Sequence, residues 1–316
     1  MSLHLVQGQK ENEMSIHKLS NRLVAITFGL AVVSIGSQKV MAFDVWSQSI
    51  MGVSQNIPGS FMGFLDFDSH NDNSVSSTST NKSFTGLDGN GNTQTMNFTG
   101  SNWAQSNYGI MKCFASGTVT NTYNNPSNPI YYDSVTNTFN PAGSPDTLIS
   151  LGFAGFNDTL HFGGALQAGY RARYYWHVSG NNSDGHAVAD MSFGIDGFAD
   201  ESFFAFAPGS YNTNWITQSY EVDGINPQNM HVFLSNQFVV DTFNEADDST
   251  ISGTSDFSST VILAGIEMLD ANGNQVSGWT VTADSGTQYN SVPEPSSLAV
   301  LALGAIGIFV RRRKKN

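Results

Sequence analysis

Apolar and polar residues alternate in short stretches along residues 43–291, and clusters of turn-forming residues separate these stretches every 8 to 15 positions. Alternation with a period of two is typical of a β-strand with one buried face. Because no stretch has the spacing of an amphipathic helix, we predict one all-β domain over these residues, a jelly-roll-like β-sandwich. Strands are predicted at 94–99, 109–121, 147–154, 165–179, 186–194, 202–207, 215–222, 230–241, 259–269 and 278–284.

Two stretches interrupt this alternation. Residues 69–93 are poor in apolar side chains and rich in turn formers, which predicts a loop or a sheet edge. Residues 121–147 contain four prolines and are predicted to be irregular as well. Further along, apolar residues approach and leave a turn at residues 270–274, and this arrangement predicts a β-hairpin over residues 256–290.

The amino-terminal end differs from the alternating region. Residues 23–36 form an apolar run that follows two cations and precedes small side chains. This order is typical of an export signal, so we predict a signal helix within residues 1–42 and cleavage by signal peptidase between Ala42 and Phe43. The start codon stays open between the first methionine and Met14.

The carboxyl-terminal end repeats this arrangement in reverse order. Residues 296–310 are 15 residues without a charge, which makes about 22 Å of helix against a hydrocarbon core about 30 Å thick. A basic tail follows at residues 311–316, in which Arg311, Arg312 and Arg313 stop transfer and stay in the cytoplasm. The pattern predicts a single transmembrane helix at residues 296–310 that holds the protein in the membrane at least transiently.

Directly before this helix stand five residues, Val292, Pro293, Glu294, Pro295 and Ser296. With the apolar run and the arginines that follow, they resemble the PEP-CTERM sorting signal of exported bacterial proteins, and the resemblance covers residues 292–316. The same tail is also known as an ice-binding-protein carboxyl-terminal domain, a name that does not establish ice binding.

The resemblance implies the route and the partners of the protein. It implies that a membrane enzyme called exosortase recognises the tail and that the chain is cut near the Pro-Glu-Pro element. The body would pass through an inner-membrane intermediate to the cell surface or extracellular matrix of a Gram-negative bacterium. Such bacteria usually make extracellular polysaccharide, which is the expected environment of the body.

Charge is unevenly distributed along the chain, because nine of its 13 cations lie in the two ends. Residues 43–292 keep four cations, Lys82, Lys112, Arg171 and Arg173, against 23 acidic residues, which leaves a formal charge of −19. Such a field repels nucleic-acid phosphates and anionic membrane surfaces, so no nucleic-acid partner is predicted. Neutral glycans and divalent cations stay as candidate ligands.

One predicted strand carries a candidate glycan-binding face. Alternation along residues 170–179 places Arg171, Arg173, Tyr175 and His177 on the face opposite to the apolar residues. Rings and cations on one face can stack on a sugar and donate hydrogen bonds to it. The alternative is that the arginines form ion pairs with acidic residues of neighbouring strands.

Calcium is a second candidate ligand. Six residues supply oxygen donors of the kind that this ion binds, namely Asp66, Asp68, Asp72, Asp88, Asn90 and Asn92. Calcium takes six to eight such ligands, but the closing bidentate acid of an EF-hand loop is missing from the spacing. Turn formation explains the same residues, so calcium is a candidate and no other cofactor is predicted.

Motifs of catalysis are missing from the sequence, which contains no nucleophile elbow, zinc helix, phosphate loop or dinucleotide fingerprint. Cys113 is the only cysteine, so no intramolecular disulfide can form, and a buried structural role is expected for it. We therefore predict an exported structural or adhesive protein of the exopolysaccharide and not an enzyme. The alternatives are a carbohydrate-binding module or glycan-active enzyme on a β-sandwich, with ice adhesion as a weaker one.

Overall fold

Two antiparallel β-sheets form the fold. The structure, a computed structural model, describes residues 44–55, 63–87, 93–121, 131–133, 138–140, 146–241 and 250–289. Sheet A contains, in spatial order, β11 (Glu201–Ala205), β10 (Ala187–Ile195), β14 (Gln228–Asp241), β8 (Asp146–Gly164), β1 (Asp44–Gln55) and β2 (Gly63–His70), with β16 (Trp279–Ala283) beside the far end of β8. Sheet B contains β12 (Gly209–Ile216), β9 (Arg171–Asn182), β15 (Thr250–Leu269), β5 (Ile110–Asn121), β4 (Thr93–Asn107) and β3 (Ser76–Leu87), with β13 (Tyr220–Glu221) also on β9. A small separate pair joins β6 (Tyr131–Asp133) to β7 (Thr138–Asn140).

Alternation in the sequence explains how the strands bury one face. In β9, Ala172, Tyr174, Trp176 and Val178 are at most 1% exposed, whereas the residues between them are half-buried or exposed. The predicted split of this strand into two faces is therefore confirmed, although the strand begins at Arg171 and not at residue 165. The all-β class is also confirmed for the described residues, which form strands, turns and bends and no helix.

The core lies between the two sheets. Its largest cluster packs aromatic rings from both of them, including Phe156 and Phe193 of sheet A against Trp176 of sheet B. A second cluster lies further along the strands and contains Met51, Met96, Phe98, Val119, Leu148, Phe238, Val240 and Ile251. Burial of these side chains is the main force that holds the sheets together.

Buried asparagines also connect the sheets. The Nδ2 of Asn102 in β4 donates to the backbone oxygen of Ile50 in β1 at 2.9 Å. The Nδ2 of Asn236 in β14 donates to the backbone oxygen of Cys113 in β5 at 3.0 Å. Cys113 itself is fully buried, as expected for a structural cysteine, and burial raises the pKa of its thiol.

Of two sequence predictions about the path of the chain, one is confirmed in part and the other is wrong. Residues 76–87 belong to the stretch predicted as a loop or a sheet edge, and they form β3, the edge strand of sheet B. Their buried hydroxyl side chains find partners on β1 and β4. The hairpin predicted over residues 256–290 has its turn, with the Asp270 carboxylate accepting from the backbone of Asn272 and Asn274. Its two strands nevertheless join different sheets, since β15 lies in sheet B and β16 pairs with β8 in sheet A.

The predicted signal helix within residues 1–42 and the predicted transmembrane helix at residues 296–310 lie outside the described residues. Within residues 44–289, as far as they are described, no helix has the length and apolar character needed to cross a membrane.

Candidate functional site

The outer face of sheet B carries an ordered array of small polar side chains. Three strands each contain a triplet of a hydroxyl residue, a glycine and another hydroxyl residue. These triplets are Thr99-Gly100-Ser101 in β4, Ser116-Gly117-Thr118 in β5 and Ser252-Gly253-Thr254 in β15. Strand pairing aligns their glycines, because Gly117 is opposite both Gly100 and Gly253.

The aligned triplets form two rows of hydroxyls with a trough between them. The trough has a volume of about 770 Å³ and is open to solvent. It is lined by Thr80, Thr99, Gly100, Ser101, Ser116, Gly117, Thr118, Ser183, Asp184, Ser252, Gly253 and Thr254. We call this set the hydroxyl trough. Neighbouring strands lie about 4.8 Å apart, so four strands give a trough that runs across roughly 15 Å of sheet.

Glycines are needed in the floor of the trough because the core packs directly beneath it. A Cβ on Gly117 would lie 2.1 Å from the Cδ1 of Phe238, and a Cβ on Gly100 would lie 3.1 Å from the Cε of Met51. Both core side chains are fully buried in the second core cluster. The missing side chains therefore let the opposite sheet support the floor through close packing.

One end and one side of the trough differ in chemistry. At the β9–β10 turn, the Oδ1 of Asp184 accepts from the backbone of His186 at 2.8 Å and lies 3.6 Å from the Nδ1 of the same histidine. On the side facing the β4–β5 turn, Trp103 and Phe114 are paired across the strands, outward and half-buried. Rings of this kind offer a stacking surface next to the hydroxyl rows.

A further polar row borders the trough on its other side. Asn97, Thr120 and Thr250 lie in register on the same outer face. They stand two residues along the strands from the hydroxyl row of Thr99, Thr118 and Ser252. They do not line the trough. The outer face of sheet B thus presents successive rows of hydroxyl and amide groups over the described parts of β4, β5 and β15.

The predicted glycan-binding face of β9 is organised around Glu267 of β15. The Oε2 of Glu267 accepts from the Arg173 guanidinium at 2.5 and 3.0 Å and from the Tyr175 hydroxyl at 2.7 Å. Its side chain is only 10% exposed. The hydrogen bond to Glu267 raises the pKa of the Arg173 guanidinium, and burial followed by the bond to Glu267 raises the pKa of the Tyr175 hydroxyl.

This geometry favours the alternative of an ion pair across neighbouring strands. His177, the next outward residue of β9, has its Nδ1 3.1 Å from the Oδ1 of Asn214 in β12. Arg171 is exposed at the start of β9, opposite Glu221 and Leu269. Glycan binding by these four β9 residues stays a prediction, and none of the four lines the hydroxyl trough.

Replacing Arg173 with alanine should lower the free energy of unfolding by about 2 kcal/mol, because it leaves the buried carboxylate of Glu267 without its cation. The partial exposure of the arginine keeps this loss below that of a fully buried pair. Urea denaturation measures the loss, and Arg173→Lys is the control, with an intermediate loss since it keeps the charge without the planar fork. Equal stability of the parent and Arg173→Ala would contradict the inferred role of the pair.

The predicted calcium ligands that the structure describes are engaged in local bonds. Asp66 accepts from the backbone of Phe67 at 3.0 Å, Asp68 from Ser77 at 2.8 Å and Asp72 from Ser74 at 2.8 Å. Asp88, Asn90 and Asn92 lie outside the described residues. In the described ranges, no three His, Cys, Asp or Glu side chains are grouped so that they could hold a metal ion. Calcium binding stays a prediction.

Sequence reasoning did not find the hydroxyl trough. The signal was present as three triplets of the form Ser/Thr-Gly-Ser/Thr, but their alignment depends on strand register, which the sequence alone does not give. The predicted sorting motif, the arginines at 311–313 and the signal cleavage site between Ala42 and Phe43 lie outside the described residues.

The carboxyl-terminal end of the chain matches a known family model. Residues 291–314 match the PEP-CTERM protein-sorting motif, at the carboxyl terminus where the sequence predicted it. No curated protein and no solved structure matches the chain. The motif indicates an exported protein, targeted by exosortase to the surface or the extracellular space.

Proposed function

We propose that the β-domain is an adhesive module of the extracellular matrix, which binds a neutral polysaccharide in the hydroxyl trough. The observation that carries this proposal is the alignment of three Ser/Thr-Gly-Ser/Thr triplets into two facing rows of hydroxyls. Hydroxyl side chains both donate and accept hydrogen bonds, as sugar hydroxyls do. A trough about 15 Å across the strands has room for several sugar units in a row.

Charge favours a neutral ligand over an anionic one. Asp184 stands at one end of the trough, and residues 43–292 carry a formal charge of −19. Such a field repels polysaccharides that contain carboxylates or sulfates. The outward rings of Trp103 and Phe114 supply the apolar contact that a neutral sugar ring uses.

We infer binding and not catalysis for the same trough. Asp184 is the one carboxylate among the described residues that line it. Glycoside hydrolysis ordinarily uses two carboxyl groups on opposite sides of the scissile bond. The residues that line the trough supply hydrogen bonds and a matching shape, which support retention of a polysaccharide chain.

The delivery route that we propose follows the two ends of the sequence. Signal peptidase would cut after Ala42 during export, and the apolar run at residues 296–310 would hold the chain in the inner membrane of a Gram-negative bacterium. Exosortase would then process the tail and leave the β-domain at the cell surface or in the matrix. The sorting motif at residues 291–314 supports the last step.

Removing the hydroxyls of Thr99, Thr118 and Ser252 should weaken binding to the neutral extracellular polysaccharide of the producing cells by about tenfold or more, because each hydrogen bond contributes about 1 kcal/mol. The variant is Thr99→Val, Thr118→Val, Ser252→Ala, which keeps the size of each side chain close to that of the parent. Affinity electrophoresis in gels that contain the polysaccharide measures the change in affinity.

The matched control changes the bordering row, as Thr120→Val with Thr250→Val, and should migrate as the parent does. An equal loss in both variants would show that the trough has no special part in binding. Equal retention of the trough variant and the parent, with both folded, would remove the proposal.

Ice adhesion is the second candidate, favoured by the regular spacing of the hydroxyl rows. Side chains on one face repeat at about 6.7 Å along a strand and about 4.8 Å between strands, and such an array can match an ordered water lattice. Thermal hysteresis, the difference between the melting and freezing temperatures of ice in a solution of the protein, distinguishes this function from glycan binding. The proposal of a glycan ligand predicts no hysteresis.

A further inference from the structure

The chain is fastened to the core immediately before the sorting motif. Asp158 of β8 is 1% exposed, and its Oδ2 accepts from the Tyr289 hydroxyl at 2.7 Å and from the Ser285 hydroxyl at 2.6 Å. Its Oδ1 accepts from the backbone nitrogen of Ser285 at 3.2 Å. We call Asp158, Ser285 and Tyr289 the latch.

Tyr289 is part of the main core cluster and is only 8% exposed. Its ring lies under the β4–β5 turn, where a Cβ on Gly109 would come within 3.2 Å of the Cε1 of the ring. Burial, and then the hydrogen bond to Asp158, raises the pKa of the Tyr289 hydroxyl well above its ordinary value. The neutral hydroxyl therefore donates to the carboxylate throughout the physiological range.

The segment between β16 and Tyr289 is also held along its length. The backbone nitrogen of Asp284 donates to the oxygen of Thr159 at 3.0 Å, and that of Gly286 donates to the oxygen of Ala283 at 2.9 Å. The chain is thus tied to the sandwich up to Tyr289, the last residue that the structure describes.

Very little chain separates the latch from the motif. Only Asn290, Ser291 and Val292 stand between Tyr289 and Pro293, and four residue steps span at most about 14 Å when fully extended. Enzymes that cut a polypeptide act on exposed segments that no hydrogen bonds or packing hold in place. A segment that is held by the folded structure reacts through a transiently opened state. A membrane enzyme that binds the Pro-Glu-Pro element must therefore accommodate the end of the folded sandwich or wait for the chain to detach.

We propose that the latch controls sorting: Tyr289 must leave Asp158 before the sorting enzyme can bind residues 293–295 and process the tail. The partner is the membrane enzyme that the sorting motif indicates. The latch delays processing until opening, which couples removal of the tail to the local stability of the folded domain. The role of the latch does not depend on what the trough binds.

The test follows conversion of the full-length chain to its tail-less form in cells that contain the sorting enzyme, by pulse labelling and mass analysis. Tyr289→Phe should convert about tenfold faster than the parent, because loss of one hydrogen bond to a carboxylate changes an opening equilibrium by roughly that factor. Tyr108→Phe is the matched control, since this tyrosine lies at the same turn and packs on Phe156, outside the latch. It should convert at the parental rate.

A second variant keeps the test decisive if Tyr289→Phe does not fold. A flexible Gly-Ser linker of about eight residues after Tyr289 leaves the latch intact and lets the motif reach the enzyme without opening. The linker chain should convert at least as fast as Tyr289→Phe does. Adding Tyr289→Phe to the linker chain should leave its conversion rate unchanged. Equal conversion rates for the parent and the linker chain would overturn the proposal.

Discussion

Replacing Asp190 with asparagine should raise the free energy of unfolding by as much as about 4 kcal/mol near pH 8 and change it little near pH 3.5. Asp190 of β10 is 3% exposed, and its Oδ1 has no hydrogen-bond partner in the described part of the chain. Burial raises the pKa of this carboxyl from 3.8 to about 7 in the folded protein. The cost of burying the charged form is the reason for this expectation.

The sign of the pH dependence follows from the raised pKa. Well below pH 3.8 the carboxyl is protonated in both the folded and the unfolded chain, so it does not affect stability. Between pH 3.8 and about 7 the carboxyl of the unfolded chain ionises first, and the parent loses stability by roughly 1.4 kcal/mol per pH unit. Above that range the folded carboxyl ionises as well and the loss becomes constant.

Urea denaturation of the parent and of Asp190→Asn at several pH values measures this difference. The amide cannot ionise, so the gap between the two proteins should widen from acid to alkaline solution. Ser192→Ala is the control, because this buried neighbour on the same face of β10 has no titratable group, and its effect should not vary with pH. A gap between the parent and Asp190→Asn that stays constant with pH would show that folding does not raise the pKa of Asp190.

Gly117→Ala should lower the free energy of unfolding by about 3 kcal/mol, because the new methyl group has no room above Phe238. Its Cβ would lie 2.1 Å from the Cδ1 and 2.3 Å from the Cε1 of that ring. The ring is fully buried and surrounded by the second core cluster, so it cannot move aside without displacing its neighbours. For a domain of this size the melting temperature should fall by roughly 10 °C.

A control and a compensating change make this result specific. Gly163→Ala adds the same methyl group where the nearest atom is the hydroxyl oxygen of Thr280 at 3.1 Å, and it should cost less than about 1 kcal/mol. Combining Gly117→Ala with Phe238→Leu replaces the ring with a smaller side chain and should recover some of the lost stability. A melting temperature of Gly117→Ala that equals the parental value would contradict the close packing beneath the trough.

Local pattern predicted those features of the fold that depend on neighbours in sequence. The two faces of β9 follow from a period of two over residues 171–178, and the structure buries the predicted apolar side. The turn at residues 270–274 also follows from its own residues, because Asp270 makes the bonds that define it. The choice of partner strand after the turn does not follow, since β16 pairs with residues 160–164 of β8 more than 100 positions away.

Strand β3 shows why the sequence left open whether a polar stretch forms a loop or a sheet edge. Its buried residues are hydroxyls and not apolar side chains, so alternation of hydropathy is weak. Ser76 lies 3.0 Å from the hydroxyl of Ser49, and Thr78 donates to Asn102 at 3.0 Å. These partners are 24 to 27 positions distant in sequence. The hydrogen bonds that suit these hydroxyl residues to a buried strand therefore cannot be inferred before the pairing of the strands is known.

The candidate site depends even more on assembly. Each Ser/Thr-Gly-Ser/Thr triplet is ordinary on its own, and only the register of β4, β5 and β15 makes a trough of the three. Tyr289 and Asp158 are 131 positions apart, so no local pattern links them. The predicted β9 cluster, in contrast, could be proposed from sequence because its members are adjacent on one strand, whereas Glu267, which organises it, could not.

The position of Gly109 separates the place where the sorting enzyme would act from the place where the ligand would bind. Gly117 in the trough floor lies eight residue steps along β5 from Gly109, whose turn covers Tyr289, and eight steps of extended chain span about 26 Å. Under both proposals, a polysaccharide chain over the glycines of the trough would leave the space around Tyr289 free. The domain would then bind its ligand before, during or after the sorting enzyme processes the tail, and a chain that still carries its tail would bind polysaccharide as the processed chain does.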